Sequence, residues 1–453
     1  MKCGGRRLVA LVLGLSVAIG GGSGCVSVTH VNQPLAQYDP DAGYRPRHPQ
    51  QRRAPGRTIL FLAFSGGGTR AAALAYGVME ELRGTEVRVD GKRVSLLSEI
   101  DSISGVSGGT FPASYYALFG DRIFDDFERR FLKKNVQRAL FLRMLPPWTL
   151  LKLMTPFLDR SDIAARYYDR HIFDGATFSD LRVATGPRVY INATDLTSGE
   201  RFTFTQDTFD LICSEIDAMP VATAVAASSA VPVFLAPVTL QNFAGRCNFQ
   251  PPQWIEAALH SPNPPARVKR GLAAYRAMLD QDQKPYLHLV DGSVADNLGL
   301  RSAVDFITAA GGPQNVRRIT GLAVPDRMVI ISVNAETDSD PTIDLSNAAP
   351  SLALLLNTVA GSQIRRANFE TLLLTEELLH RWGRELSSES QTVQTHFVSL
   401  GFNDLADVDE RKRLNRLPTS FRLNEDDVDS LRAAGRRLLR DSPQFQALVA
   451  EMQ

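Results

Sequence analysis

The stretch RTILFLAFSGGGTRAAALAYGVMEEL, residues 57–82, decides the fold. Ile59 to Phe64 is continuously apolar, as a strand covered on both faces requires, and Ala72 to Leu82 fits a helix that packs its small face inward. Between them stand Gly66-Gly67-Gly68-Thr69-Arg70. A strand, a glycine loop and a helix in that order place several backbone N–H groups at a helix amino terminus, a site for an anion or a developing oxyanion. A dinucleotide-binding loop is the alternative. The spacing is not G-x-G-x-x-G, and no acidic residue follows a second strand at the required distance.

Working outward, the same geometry recurs in residues 96–120. The short apolar run LLSEIDSI leads into GVSGG, residues 105–109, and then into the helical TFPASYYALFG. Ser107 is boxed in by Gly105, Gly108 and Gly109. A hydroxyl on a sharp strand-to-helix turn needs neighbours without β-carbons, which is how a nucleophile is presented. Taken alone, the pattern also fits an ordinary glycine-rich turn. Two successive strand–loop–helix units imply a parallel α/β sheet whose ligands bind at the carboxyl ends of the strands. One loop would supply the serine and the other the donors.

A serine needs a base, and PYLHLVDGSVADNLGL, residues 285–300, offers one. The strand-like run stops at Asp291-Gly292, which places a carboxylate on the same rim as both glycine loops. Capping a turn is the commoner job of an Asp-Gly pair, and only the combination with the other two motifs favours catalysis.

These residues together resemble the patatin-like phospholipase family. Its pattern joins a G-G-G-x-R oxyanion loop, a G-x-S-x-G serine and a D-G-[GA] aspartate, matched here by Gly66 to Arg70, Gly105 to Gly109 and Asp291-Gly292-Ser293. NATDLTSGERFTF, residues 192–204, and AVAASSAVPVFLAPV, residues 224–238, also fit, so the likeness spans roughly residues 58–340. Ser293 stands where glycine or alanine is usual, a small change that the turn should survive. The resemblance implies a three-layer α/β fold with a mainly parallel central sheet and helices on both faces. It also implies a lipid acyl hydrolase of phospholipase A or esterase type, with a Ser107–Asp291 dyad, an oxyanion hole at Gly66, Gly67 and Gly68, and neither metal nor cofactor.

The chemistry of such a dyad is demanding. An aspartate with an ordinary pKa of about 3.9 is a weak base for a serine hydroxyl, so the site must shield it from water or stabilise the product charge. Three consecutive glycines leave N–H groups that no side chain obstructs, and Arg70 reads most simply as a brace for their loop. A Ser-Asp-His triad is the rival, in the chain order Ser107, Asp291, then His380 or His396. His380 lies in the helical TEELLHRW and His396 in the strand-like THFVSL, with no glycine turn beside either, so both read as structural. A third reading is a membrane-tethered lipid-binding protein without turnover. It gives no reason to keep strained glycines around a hydroxyl.

The rest of the chain sets the context. With 453 residues and 44% hydrophobic content it is globular, and Lys+Arg 50 against Asp+Glu 49 gives no global field for nucleic acid. Residues 1–25 read as an export signal: Lys2, Arg6 and Arg7 precede the apolar run Leu8 to Ile19, then GGGSGC. The small residues before Cys25 resemble a bacterial lipoprotein box, with Gly22 where leucine is preferred. If Cys25 is lipidated, Val26 in second place implies the outer membrane; otherwise the exported protein is periplasmic or secreted. Residues 26–57, rich in proline and polar residues, read as a tether. An oxidising compartment permits a disulfide between Cys213 and Cys247; two buried free thiols are the alternative.

Residues 131–158, FLKKNVQRALFLRMLPPWTLLKLMTPFL, mix lysine and arginine with leucine, methionine, Trp148 and phenylalanine. They suit a segment that enters a lipid interface or caps an acyl pocket, and equally a helix pair broken at Pro146-Pro147 and packed on the sheet. Membrane lipid is thus the expected substrate and partner. The catalytic domain is expected over 58–345, with the mostly helical 346–453 completing it.

Overall fold

In the computed structural model, residues 31–47, 57–153, 155, 158–232, 234–338, 341–345, 347, 349 and 351–453 are described. The expected export signal and Cys25 lie outside them. The main sheet has eight strands: β1 (Thr58–Phe64), β2 (Ser102–Val106), β3 (Arg188–Asp195), β4 (Arg201–Thr203), β5 (Val238–Gln241), β6 (Tyr286–Asp291), β7 (Arg327–Asn334) and β8 (Gln394–Gly401). The helices that matter below are α1 (Gly68–Gly84), α2 (Thr110–Phe119), α3 (Val136–Met144), α4 (Pro147–Leu153), α5 (Val221–Ser228), α6 (Ala266–Met278), α7 (Arg301–Ala309), α8 (Leu352–Leu386) and α9 (Glu425–Arg440).

Strands β8, β7, β1, β2 and β3 lie side by side and parallel, while β4, β5 and β6 run antiparallel to their neighbours. The register explains how two distant motifs meet. Ala193 of β3 pairs with Phe202 of β4 on one edge, so its pairing with Asp291 must use the other edge, the one on which Asn192 pairs with Val106. Strands β2 and β6 therefore approach along the same edge of β3 from opposite directions. Their last residues stop opposite the successive positions Asn192 and Ala193.

Alternation along β1 divides the core between two faces. Leu60, Leu62 and Phe64 join the large cluster with residues of α1, α2, α5 and α9, whereas Phe61 and Ala63 pack with Tyr190, Leu298, Leu300 and Leu379 of α8. Helices on both faces make three layers. A fully buried side chain of the Leu or Phe kind contributes roughly 1.5–3 kcal/mol, so the larger cluster is the main source of stability. Strand β8 belongs to the central sheet, and α9 lies so close to α1 that a Cβ on Gly77 would overlap the Arg432 backbone. Residues of β8 and α9 thus join the same core as those of β1 and α1.

The tether reading fails for residues 31–47, which dock on the domain. Gln33–Pro34 pair as a short strand with Ser214–Glu215. Tyr44 is fully buried, its hydroxyl donating to the Val189 carbonyl at 3.1 Å and accepting the Val189 N–H at 2.9 Å. Arg45 reaches Asp207 at 2.7 Å and Asp210 at 2.8 Å. Isolated anchors of this kind leave no periodicity, so proline-rich composition concealed them. Cys213 and Cys247 form a disulfide beside this segment, where Leu35 and Tyr38 donate backbone hydrogen bonds to their carbonyls.

Residues 131–158 divide between the two readings. Phe131, Leu132, Val136 and Leu140 are buried, Phe131 stacking on Phe111 with ring centroids 4.1 Å apart. Beyond them the pair α3–α4 turns outward, leaving Phe141 59%, Trp148 69% and Leu151 68% exposed.

Candidate active site

Ser107 follows the last residue of β2 with a φ of 49°, in the left-handed region that costs a residue with a Cβ roughly 1–2 kcal/mol. The surroundings hold it there. Its N–H donates to Ser228 Oγ at 2.9 Å, and Ser228 Oγ donates to the Asn192 carbonyl at 2.5 Å, joining the turn to the end of α5 and to β3. Neighbouring backbones come close at every flanking glycine. A Cβ on Gly105 would lie 2.8 Å from Thr110 Cα, and one on Gly109 would lie 2.6 Å from the Ser65 carbonyl oxygen. Gly292 is likewise closed in by the Asn192 carbonyl.

The head-on arrival of β2 and β6 brings the serine and the aspartate together. Ser107 Oγ donates to Asp291 Oδ2 at 2.7 Å, and Asp291 Oδ1 accepts the Ser293 N–H at 2.8 Å. The Thr194 hydroxyl holds the Asp291 carbonyl at 2.9 Å. Burial pushes the Asp291 carboxyl above its ordinary value, against hydrogen bonds from the Ser293 N–H and from the hydroxyls of Ser107 and Ser293, which pull it down. Ser293 therefore does more than survive in a position that favours glycine or alanine: both of its donors serve the carboxylate.

The glycine loop lies over this pair, although its three N–H groups are not equivalent. Gly66 N–H donates to the Asn297 carbonyl at 3.0 Å, which removes it from the expected donor set. The N–H groups of Gly67 and Gly68 have no acceptor among the described residues; these glycines adopt φ of 140° and 60°, and Gly68 opens α1. Gly108 packs directly on Gly68, where its own Cβ would overlap the Gly68 carbonyl. Arg70 follows the loop in the first turn of α1. Its Nε donates to the Ala335 carbonyl at 2.9 Å, and its terminal nitrogens donate to the Leu417 carbonyl at 2.6 Å and Thr419 Oγ1 at 3.0 Å. Burial among these neutral acceptors lowers its pKa to about 10.

Neither candidate histidine is near. His380 Nδ1 is 2.8 Å from Thr395 Oγ1, and His396 Nε2 is 3.0 Å from Glu451 Oε2. Among the described residues no histidine contacts Ser107 or Asp291.

The sequence model of the patatin-like phospholipase family matches residues 62–304, more than half of the chain. The chain belongs to that family. Every residue of the patatin-like site described above up to Asn297 falls within the match, while β7, β8, α8 and α9 lie beyond it. Among solved structures the chain is similar to human GIVD cytosolic phospholipase A2, at 13% identity over 87% of this chain, with a TM-score of 0.43. It spans 62% of the length of that protein. VipD from Legionella pneumophila is similar at 14% identity over 85% of this chain and 68% of its own, with a TM-score of 0.25. No significant relative is found among curated protein sequences.

Sequence reasoning missed Ser228, Asn192 and Thr194, which tie the two site turns to β3. Asn192 Nδ2 donates to Ser104 Oγ at 2.9 Å and to the Gly105 carbonyl at 3.1 Å, and its Oδ1 accepts the Thr203 hydroxyl at 2.9 Å. Both stretches that carry these residues were visible in the sequence, at 192–204 and 224–238. What no pattern supplied was the partner of each polar side chain.

Proposed function

We propose that this patatin-like protein hydrolyses carboxylic esters of membrane lipids through Ser107 and Asp291. Ser107 Oγ attacks the ester carbonyl carbon while its proton passes to Asp291 Oδ2. The negative charge that develops on the carbonyl oxygen is met by the N–H groups of Gly67 and Gly68 and by the positive end of α1. Collapse of the tetrahedral intermediate breaks the bond to the leaving alcohol, which takes the proton back from Asp291. Water, deprotonated by the same carboxylate, then attacks the acyl-serine and releases the fatty acid.

The observation that carries this reading is the 2.7 Å hydrogen bond from Ser107 to Asp291, beside donors that have no acceptor. It also answers the weak-base objection. Ser107 is 2% exposed and Asp291 4%, and removal from water raises the carboxylate's affinity for the proton it must accept. The exposed apolar tip of α3–α4 supports a lipid interface as the place of action. Lys133 of the same segment is engaged within the protein, pairing with Glu128 at 2.7 Å and Asp429 at 3.0 Å.

An acyl anchor at Cys25 in the outer membrane belongs to the same proposal. Asn32, seven residues after Cys25, is already fixed to the domain through Ser214 and Gln241, so an anchored domain would be held close to the bilayer. Loss of the protein from the membrane fraction in Cys25→Ser checks this. The reaction itself is tested by fatty acid release from phospholipid vesicles. Ser107→Ala and Asp291→Asn should abolish release with the fold intact, whereas His380→Ala and His396→Ala should retain it; loss of release in either folded histidine variant would favour the triad.

A further inference from the structure

On the sheet face that carries Tyr190, a cavity of about 770 Å³ lies between the docked amino-terminal segment, α6 and α7. Neither Ser107 nor Asp291 lines it. The volume falls within the range of about 300–1,000 Å³ typical of small-molecule sites.

One end of the cavity is cationic, and its guanidinium groups converge on a single turn of α7. Arg47 donates to the Ser302 carbonyl at 2.9 Å and stands 4.0 Å over the Phe306 ring. Arg201 and Arg267 share one carboxylate, Asp305, at 3.4 Å and 3.0 Å. Two guanidinium groups thus share Asp305, with Asp296 also facing Arg201, and beside them Arg47 has no carboxylate partner among the described residues. The Nε of Arg201 is also buried without an acceptor. Unpaired cationic donors in a recess favour an anionic guest, because ionic hydrogen bonds gain strength where water is excluded.

The other end is apolar. Val268, Leu272, Tyr275 and Met278 recur along α6 at helical spacing and line the wall. A cationic end and an apolar wall in one cavity define the shape of a single-chain anionic amphiphile.

We propose that this cavity binds a long-chain fatty carboxylate, its head at Arg47, Arg201 and Arg267 and its tail along α6. This site is separate from the Ser107 centre, and its occupancy does not depend on the proposed hydrolysis, although that reaction would release the same class of acid.

The test is displacement of cis-parinarate fluorescence by oleate, below its aggregation concentration, on the full chain carrying Ser107→Ala. Oleate should bind, and methyl oleate and lysophosphatidylcholine should bind at least about tenfold more weakly, the effect of losing one ionic hydrogen bond. Arg47→Gln should weaken oleate by a similar factor, and Ala274→Trp, which fills the cavity without touching its charges, should abolish binding. Unchanged melting temperatures would show that both variants remain folded. Equal binding of oleate and its methyl ester by the unsubstituted cavity would overturn the proposal, as would full oleate affinity in both variants.

Discussion

Gly108→Ala separates the geometry of the site from its composition. The substitution leaves Ser107, Asp291 and all three loop glycines in place, and Gly108 does not occupy the positive-φ region, so alanine meets no backbone strain. Its methyl group nevertheless overlaps the Gly68 carbonyl and lies 2.6 Å from Gly68 N. Real Cβ contacts essentially never fall below 3.0 Å, so the loop must retreat from the serine by about 1 Å. A displacement of about 1 Å at a reacting centre costs on the order of a hundredfold, similar to the loss of one oxyanion donor, which costs about 10²–10³ in kcat. Overpacking of this kind costs about 1–3 kcal/mol of stability, which a chain of this size tolerates. The assay is kcat and KM on a soluble p-nitrophenyl ester, with Gly84→Ala as the comparison because a methyl group there meets no atom within 4 Å. Gly108→Ala should lose about a hundredfold in kcat with KM little changed, and Gly84→Ala should keep wild-type turnover. Wild-type kcat in a folded Gly108→Ala protein would refute the claim that Gly68 contact positions the donors.

Other expectations follow from particular contacts. In the proposed reaction Asp291 must be ionised to accept the serine proton, and because burial raises its pKa, activity should fall with decreasing pH above the ordinary carboxylate range. The Ser293 hydroxyl favours the ionised form, so Ser293→Ala should move that acid limb to higher pH; an unchanged or lowered limb in the pH–rate profile would contradict the assignment. Replacing Trp148 and Leu151 with serine should depress hydrolysis of vesicle lipids far more than hydrolysis of the soluble ester, since both side chains are mostly exposed. An equal fall on both substrates, with a lower melting temperature, would make the α3–α4 tip a packing element.

Much of the site was legible because its demands fall on residue types that sequence displays directly. The apolar run before Gly66 marks a strand covered on both faces, and the glycines around Ser107 mark backbones in close approach. The antiparallel course of β6 was not legible: a carboxylate at a strand end looks the same in either direction, and only the register against Asn192 and Ala193 reveals the head-on meeting. The inequality of the loop donors was hidden for a related reason, since the acceptor of Gly66 is a backbone carbonyl at Asn297, which no side-chain pattern encodes. Docking of residues 31–47 depends on Tyr44 and Arg45 finding Val189, Asp207 and Asp210, contacts between segments more than a hundred residues apart. Periodicity reports local structure and is silent on such pairings.

The central claim is that Ser107 is activated by Asp291 rather than by a histidine. It is tested most directly by exposing the purified protein to an alkyl fluorophosphonate, mapping the adduct by peptide mass spectrometry, and measuring the rate of modification. A single adduct on Ser107 is expected, forming at wild-type rate in His380→Ala and His396→Ala and at least about a hundredfold more slowly in Asp291→Asn. An adduct on another residue, or undiminished modification of Ser107 in folded Asp291→Asn, would contradict the account.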